Sequence, residues 1–126
     1  MDYKGTCLCG AVGLTINSGI EGVICCHCKM CQKAHGSAFA VFGLVRYESV
    51  NVVGSHHLTE HKSSIGVTRT FCKHCGSNFS WSDSSSYNDG YFSFSLSLLD
   101  TNYSPSNVEH VYKLSAPNWE KCLREL

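Results

Sequence analysis

Eight of the nine cysteines fall into three tight groups: Cys7-x-Cys9, then Cys25-Cys26-x-Cys28-x-x-Cys31, then Cys72-x-x-Cys75. No other feature restricts the fold as strongly. Thiols this close along a chain bridge one another only in strained loops, but they chelate a metal readily. The chain must therefore bring distant groups together around ions, and metal binding becomes part of the folding energy. A disulfide framework is a poorer fit, because nine is odd and the N-terminus, MDYKGTCLCG, lacks the apolar stretch of a secretion signal. On these grounds we expect a cytoplasmic protein in a reducing compartment. The 126 residues suffice for one domain, residues 1–126, with its own core. Lysine plus arginine balance aspartate plus glutamate at 10 each, so no basic surface points to nucleic acid or an acidic membrane. No apolar run approaches the roughly 18–20 residues of a membrane-spanning helix.

Between the cysteines the pattern is that of short strands. Alternating or β-branched runs cover 11–16, 37–45, 49–54, 56–61, 66–72, 77–81, 91–99 and 109–114. In YFSFSLSLL the alternation sets Phe92, Phe94, Leu96 and Leu98 against Ser93, Ser95 and Ser97, which predicts a half-buried strand. Helix signals are weak. One turn can follow Cys31, and 117–126 offers Pro117 at a first helical position, with Cys122 on its core-facing side. SDSSSYNDG (82–90) reads as a polar loop ending in the turn pair Asp89-Gly90. The expected architecture is mainly β, a small antiparallel zinc-binding domain with little helix.

The thiols divide most simply into four and three. Cys7, Cys9, Cys72 and Cys75 form a closed tetrathiolate site, best matched to zinc. Both Cys9 and Cys75 are followed by glycine, which can take positive φ and aim backbone N–H groups at sulfur. Cys26, Cys28 and Cys31 form a second zinc site with three ligands and an open position, the pattern of catalytic zinc. On an extended chain Cys25 and His27 face away from Cys26 and Cys28, so Cys25 reads as a small buried hydrophobe. His35 is the candidate fourth ligand if the chain supplies one. Spacing assigns no role to His56, His57, His61, His74 or His110.

Three thiolates on a divalent ion leave the site at −1, a poor generator of hydroxide but a suitable host for an incoming soft ligand. A small-molecule thiol is the natural one, because it loses its proton when metal-bound and stays nucleophilic. His35, Ser37, Gln32 and Lys33 stand near enough in sequence to offer hydrogen bonds.

Taken together, Gly5-x-Cys7-x-Cys9-Gly10, Cys26-His27-Cys28-x-x-Cys31, Gly36-Ser37-x-Phe39 and Arg69-x-Phe71-Cys72-x-x-Cys75-Gly76 resemble the Gfa-like family, also called the CENP-V/GFA domain. His110-Val111-Tyr112, Ala116 and Trp119 are similar to that family's C-terminal end. The resemblance implies a β-tent of antiparallel sheets, a structural zinc at Cys7, Cys9, Cys72 and Cys75, and a catalytic zinc at Cys26, Cys28 and Cys31. It further implies a carbon–sulfur lyase that joins a thiol such as glutathione to an aldehyde such as formaldehyde. The motif itself fixes ligands rather than a thiol pocket. Of the arginines that a substrate carboxylate would want, Arg69 stands beside the structural Cys72–Cys75 pair in sequence. A non-catalytic zinc module that binds a partner protein is the competing expectation, and it requires Cys25 or His35 to close the second site.

Overall fold

The computed structural model describes residues 2–85 and 89–124. Ten strands and two short helices follow one another, and the chain is mainly β as expected. Strands β1 (Tyr3–Thr6), β2 (Gly13–Ile16) and β5 (Val50–Val53) form a three-stranded antiparallel sheet in the order β1-β2-β5. The remaining strands are β3 (Gly22–Cys26), β4 (Ala40–Arg46), β6 (Leu58–Ser64), β7 (Val67–Cys72), β8 (Asn78–Asp83), β9 (Tyr91–Ser95) and β10 (Val108–Val111). They form a seven-stranded sheet in the order β10-β3-β4-β9-β8-β7-β6. Its pairs are antiparallel except that β10 runs parallel to β3. Helices α1 (Lys29–His35) and α2 (Trp119–Arg124) complete the fold.

Strand alternation gives the large sheet two working faces. Val45 stands opposite Phe92, and Val45, Cys72, Phe79 and Phe94 pack with Val12, Leu14 and Ile16 beside the small sheet. On the other face Phe42 pairs with Ile24 and Ser95, and Trp81 with Ser93. There Cys26, Cys31, Ala40 and Phe42 form a second, smaller cluster with Cys28, Trp81 and Val111 against it. Gly43 lets the fully buried Phe94 ring cross its strand: a Cβ there would meet the ring at 2.6 Å.

Several expected elements shift. The run 91–99 is a strand only to Ser95, after which Leu96–Leu98 turn in a 3-10 helix. The two serines within β9 do not face water. Ser93 and Ser95 are each 2% exposed, because each small side chain stands beside a large one on the same face, Trp81 opposite Ser93 and Phe42 opposite Ser95. The run 109–114 stops at Val111, since Tyr112 takes φ 57 and breaks the strand. His56 and His57 lie in a 3-10 turn before β6 rather than in the strand. Ser82 and Asp83, read as loop, extend β8; residues 86–88 of that polar stretch lie outside the described residues. Helix α2 starts at Trp119 rather than beside Pro117, and Cys122 is exposed instead of core-facing. Residues 125–126, the end of that predicted helix, also lie outside the described residues. β1 and β3 carried too little alternation to be predicted. Among the described residues, no helix is long and apolar enough to cross a membrane.

Candidate functional site

The sulfurs of Cys7, Cys9, Cys72 and Cys75 all lie within 4.8 Å of one another. Cys7 and Cys9 come from the turn that links β1 and β2, whereas Cys72 ends β7 and Cys75 lies in the turn to β8. The cluster thus joins the small sheet to the large one. The two turns are built alike. Gly10 N–H donates to Cys7 O at 3.1 Å and Gly76 N–H to Cys72 O at 2.8 Å. Gly10 and Gly76 take φ 83 and φ 79, with open space where a Cβ would stand. Left-handed backbone, rather than lack of room, is why glycine follows each cysteine pair. Val12 N–H donates to Cys7 Sγ at 3.3 Å, and Leu8 N–H to Ser77 Oγ, which lies 3.2 Å from Cys75 Sγ.

Sγ–Sγ separations of 3.7 Å for Cys7–Cys9 and 3.8 Å for Cys9–Cys72 match the edge of a zinc tetrathiolate, about 3.8 Å for Zn–S bonds of about 2.3 Å. Two bare thiolates at that distance repel by about 4 kcal/mol at an effective dielectric of about 20, so the four cannot all ionise without a cation. The protons are accordingly shared unevenly. Hydrogen bonds from the Ser77 side chain, the Ser77 backbone and the Cys9 backbone hold Cys75 down at about 5. Cys9 feels a lowering from the Ala11 backbone, but burial and its three sulfur neighbours push it up to about 11. The donor set fits a soft divalent cation.

Cys26, Cys28 and Cys31 form the second group, their sulfurs again within 4.8 Å of one another. Cys26 ends β3, Cys28 caps α1, and Cys31 lies in its first turn. Cys28 Sγ accepts the Cys31 N–H at 3.3 Å, so an orphan helix donor is aimed at sulfur. Among the described residues no further His, Cys, Asp or Glu ligand atom joins this group. Cys25 is buried but outside it, paired with Val41 and His110 along the strands, and burial raises its thiol. His35 is not a fourth member either: its ring meets Phe42 edge-on, with centroids 5.3 Å apart. His27 turns away as alternation requires and shares a 2.9 Å Nε2···Nδ1 hydrogen bond with His110. His57 and His74 pair similarly at 2.8 Å on the exposed side of the first cluster.

The second group opens onto a cavity of about 400 Å³ whose wall is one face of the large sheet. Ile24, Phe42, Val67, Trp81 and Val111 give it an apolar lining. The hydrogen-bonding neighbours suggested by sequence, His35, Ser37, Gln32 and Lys33, do not line it. Gln32 Nε2 is occupied by the carbonyls of His27 and Ser115. Arg69 is there instead, and this overturns its expected place beside the structural pair. Three residues before Cys72 in β7, it points to the opposite face. Arg69 is 7% exposed; Nη2 donates to Cys31 Sγ at 3.5 Å and Nε to Ser63 Oγ at 3.1 Å. Hydrogen bonding with Cys26 and then the Arg69 guanidinium hold the Cys31 thiol well down despite its burial. Cys26, sharing that proton with Cys31 and buried itself, is pushed up. The signal for Arg69 was present in the sequence: the period-2 argument that sets Cys25 apart from Cys26 also sets Arg69 apart from Cys72.

Two cysteine clusters on opposite faces of one sheet, one knotted between sheets and one beside a cavity, define a small mainly β cysteine-cluster fold whose two thiol groups could each hold a metal ion. Residues 2–115 match the family model described as "Glutathione-dependent formaldehyde-activating enzyme". The chain belongs to that family. A protein of Schizosaccharomyces pombe named as an uncharacterized lyase is 33% identical over 75 residues, covering 60% of this chain and 53% of the relative. The matched region thus spans about half of that relative's length. A crystal structure of a Rhodobacter sphaeroides protein is similar with a TM-score of 0.64 and 25% identity, covering 86% of this chain and 99% of that one.

Proposed function

We propose that the protein is a carbon–sulfur lyase acting on the adduct of a small thiol and an aldehyde, with zinc at both cysteine clusters. Family membership and the lyase name of the S. pombe relative support the lyase class. The observation that carries the reading is the second cluster: three sulfurs converge beside an apolar cavity, and no other described side chain of ligating type joins them. Cys26, Cys28 and Cys31 would hold the ion and would leave the position of a fourth ligand to the cavity. Zinc held there supplies a charge that lowers the pKa of a thiol. The competing reading, a closed non-catalytic module, required Cys25 or His35 in that position, and neither lies in the cluster.

The chain's own residues supply the rest. Arg69 offsets the negative charge of the three thiolates through Cys31. The walls formed by Phe42, Trp81 and Val111 are apolar, so a thiolate against them is less well hydrated and more reactive. In the forward sense the sulfur bonds to the aldehyde carbon, the carbon–oxygen π bond breaks, and the thiol proton ends on oxygen. Glutathione and formaldehyde are the pair named by the family. All nine cysteines are unbridged, which suits the reducing cytoplasm where such thiols are abundant. The test is a zinc-loaded sample given formaldehyde and a panel of thiols, with adduct formation and cleavage followed by NMR exchange. Exchange no faster than the uncatalysed background for every thiol would refute the proposal.

A further inference from the structure

The cavity holds a buried cation with unused hydrogen-bonding capacity. Arg69 Nη1 is buried and has no hydrogen-bond partner among the described residues, although Nη2 and Nε are both engaged. Buried polar atoms are rarely left so, because an unmet donor costs roughly 1–3 kcal/mol and more when charged. Among the described residues Arg69 also has no carboxylate partner, in contrast to Arg46, which pairs with Glu21. The guanidinium lines the same cavity as the three thiols and touches one of them, so an oxygen bound by Nη1 would lie within a few bonds of a sulfur bound beside Cys31.

We propose that Arg69 Nη1 is the receptor for a carboxylate carried close to the thiol of the substrate, and that the site selects monocarboxylate thiols with a small apolar body. This rests on the proposed thiol chemistry of the second cluster and specifies its substrate. The remaining lining supports the single charge. Among the described residues that line the cavity, Asp83 is the one carboxylate, and it repels a second carboxylate. Val67 pairs with Asp83 and Arg69 with Trp81, so the cation and the anion stand on one sheet face, two residues apart on adjacent strands, with apolar side chains around them. A dicarboxylate has one partner there and one opponent.

The experiment is calorimetric titration of the zinc-loaded protein with 3-mercaptopropionate, 1-propanethiol and mercaptosuccinate, repeated on Arg69→Met and Asp83→Asn. A hydrogen bond to a charged group is worth about 1.5–3 kcal/mol, so 3-mercaptopropionate should bind roughly 10- to 150-fold more tightly than 1-propanethiol. Arg69→Met should reduce that ratio to near one, whatever it does to the affinity for 1-propanethiol itself. Asp83→Asn should tighten mercaptosuccinate selectively. Equal affinity of the wild type for 3-mercaptopropionate and 1-propanethiol would overturn the inference without any variant, so it stays testable if Arg69→Met does not fold. A carboxylate preference that survives in Arg69→Met would also overturn it. Turnover of both thiols with equal affinity refutes the carboxylate receptor and leaves the lyase standing. A carboxylate preference without any turnover does the reverse.

Discussion

The two clusters should differ in how much stability they confer, and the difference follows from chain connectivity. An ion stabilises a fold to the extent that it binds the native state and not the unfolded one. Cys26, Cys28 and Cys31 span 5 residues, so the unfolded chain can still gather them around zinc. The first cluster joins Cys9 to Cys72 across 63 residues. Assembling it in the unfolded chain costs an additional (3/2)RT ln(63/5), about 2.2 kcal/mol. Zinc at the first cluster should therefore stabilise the native state by about 2 kcal/mol more. The comparison is between Cys7→Ser with Cys9→Ser and Cys26→Ser with Cys28→Ser, each double leaving too few thiols to complete a site. Cys7 and Cys26 are both buried, so the serine penalty is similar. Cys9 is exposed and Cys28 half-buried, which biases against the expected order. In zinc-buffered thermal melts followed by circular dichroism, the first double should melt lower by roughly 5–10 °C, or fail to fold. Equal melting temperatures, or a lower one for the second double, would refute the division of the clusters into a fold-holding one and a working one.

Other substitutions test the packing and the turns. Gly43→Ala drives a methyl into the Phe94 ring at 2.6 Å with Leu96 at 3.2 Å, and should cost about 1–3 kcal/mol in urea midpoint without changing zinc content. Gly76→Ala meets no atoms, but its φ of 79 is strained for alanine; a loss of about 1–2 kcal/mol is expected, with Gly76→Asn milder. His35 is held down at about 4 by burial, assisted by the Arg69 charge. The unfolded chain therefore takes up its proton first: the contribution is complete above about 6.5 and is lost as pH falls towards 4. His35→Gln should remove part of that acid-side decline, seen as a flatter difference in stability between pH 6.5 and 4.

The gathering of the sulfurs into four and three was legible because short spacings leave few groupings. The strands were legible where apolar residues alternate against polar ones on a sheet with one wet face. YFSFS misleads for the opposite reason. β9 is flanked by β4 and β8, whose Phe42 and Trp81 stand beside its serines, so these are buried although they look like a solvent face. β3 lacked alternation because both of its faces are covered, with Val23, Cys25 and Cys26 all buried. The parallel partnership of β10 with β3 left no local trace, since a long connection rather than a turn sets it. The cavity was the least legible part: Ile24, Phe42, Val67, Trp81 and Val111 come from five strands, and only their registers bring them to one face.

Strand β7 ties these parts together. It delivers Arg69 to the cavity face and Cys72 to the sandwich core, and a one-residue slip would send each to the wrong side. Buried arginine among Phe79 and Phe94 would be severely destabilising, so the hydrophobic pattern alone opposes the slip. The β7–β8 register nevertheless shifts between Thr70 and Phe71, one residue before the cluster, and such irregularities are points where pairing can rearrange. Fixing Cys72 and Cys75 to an ion pins the strand just beyond that point. With an ion held there, the first cluster would act on the second through β7, by keeping Arg69 at Cys31. A first-cluster variant that still folds should keep its affinity for a neutral thiol and lose preference for a carboxylated one; unchanged selectivity would show that packing alone sets the register.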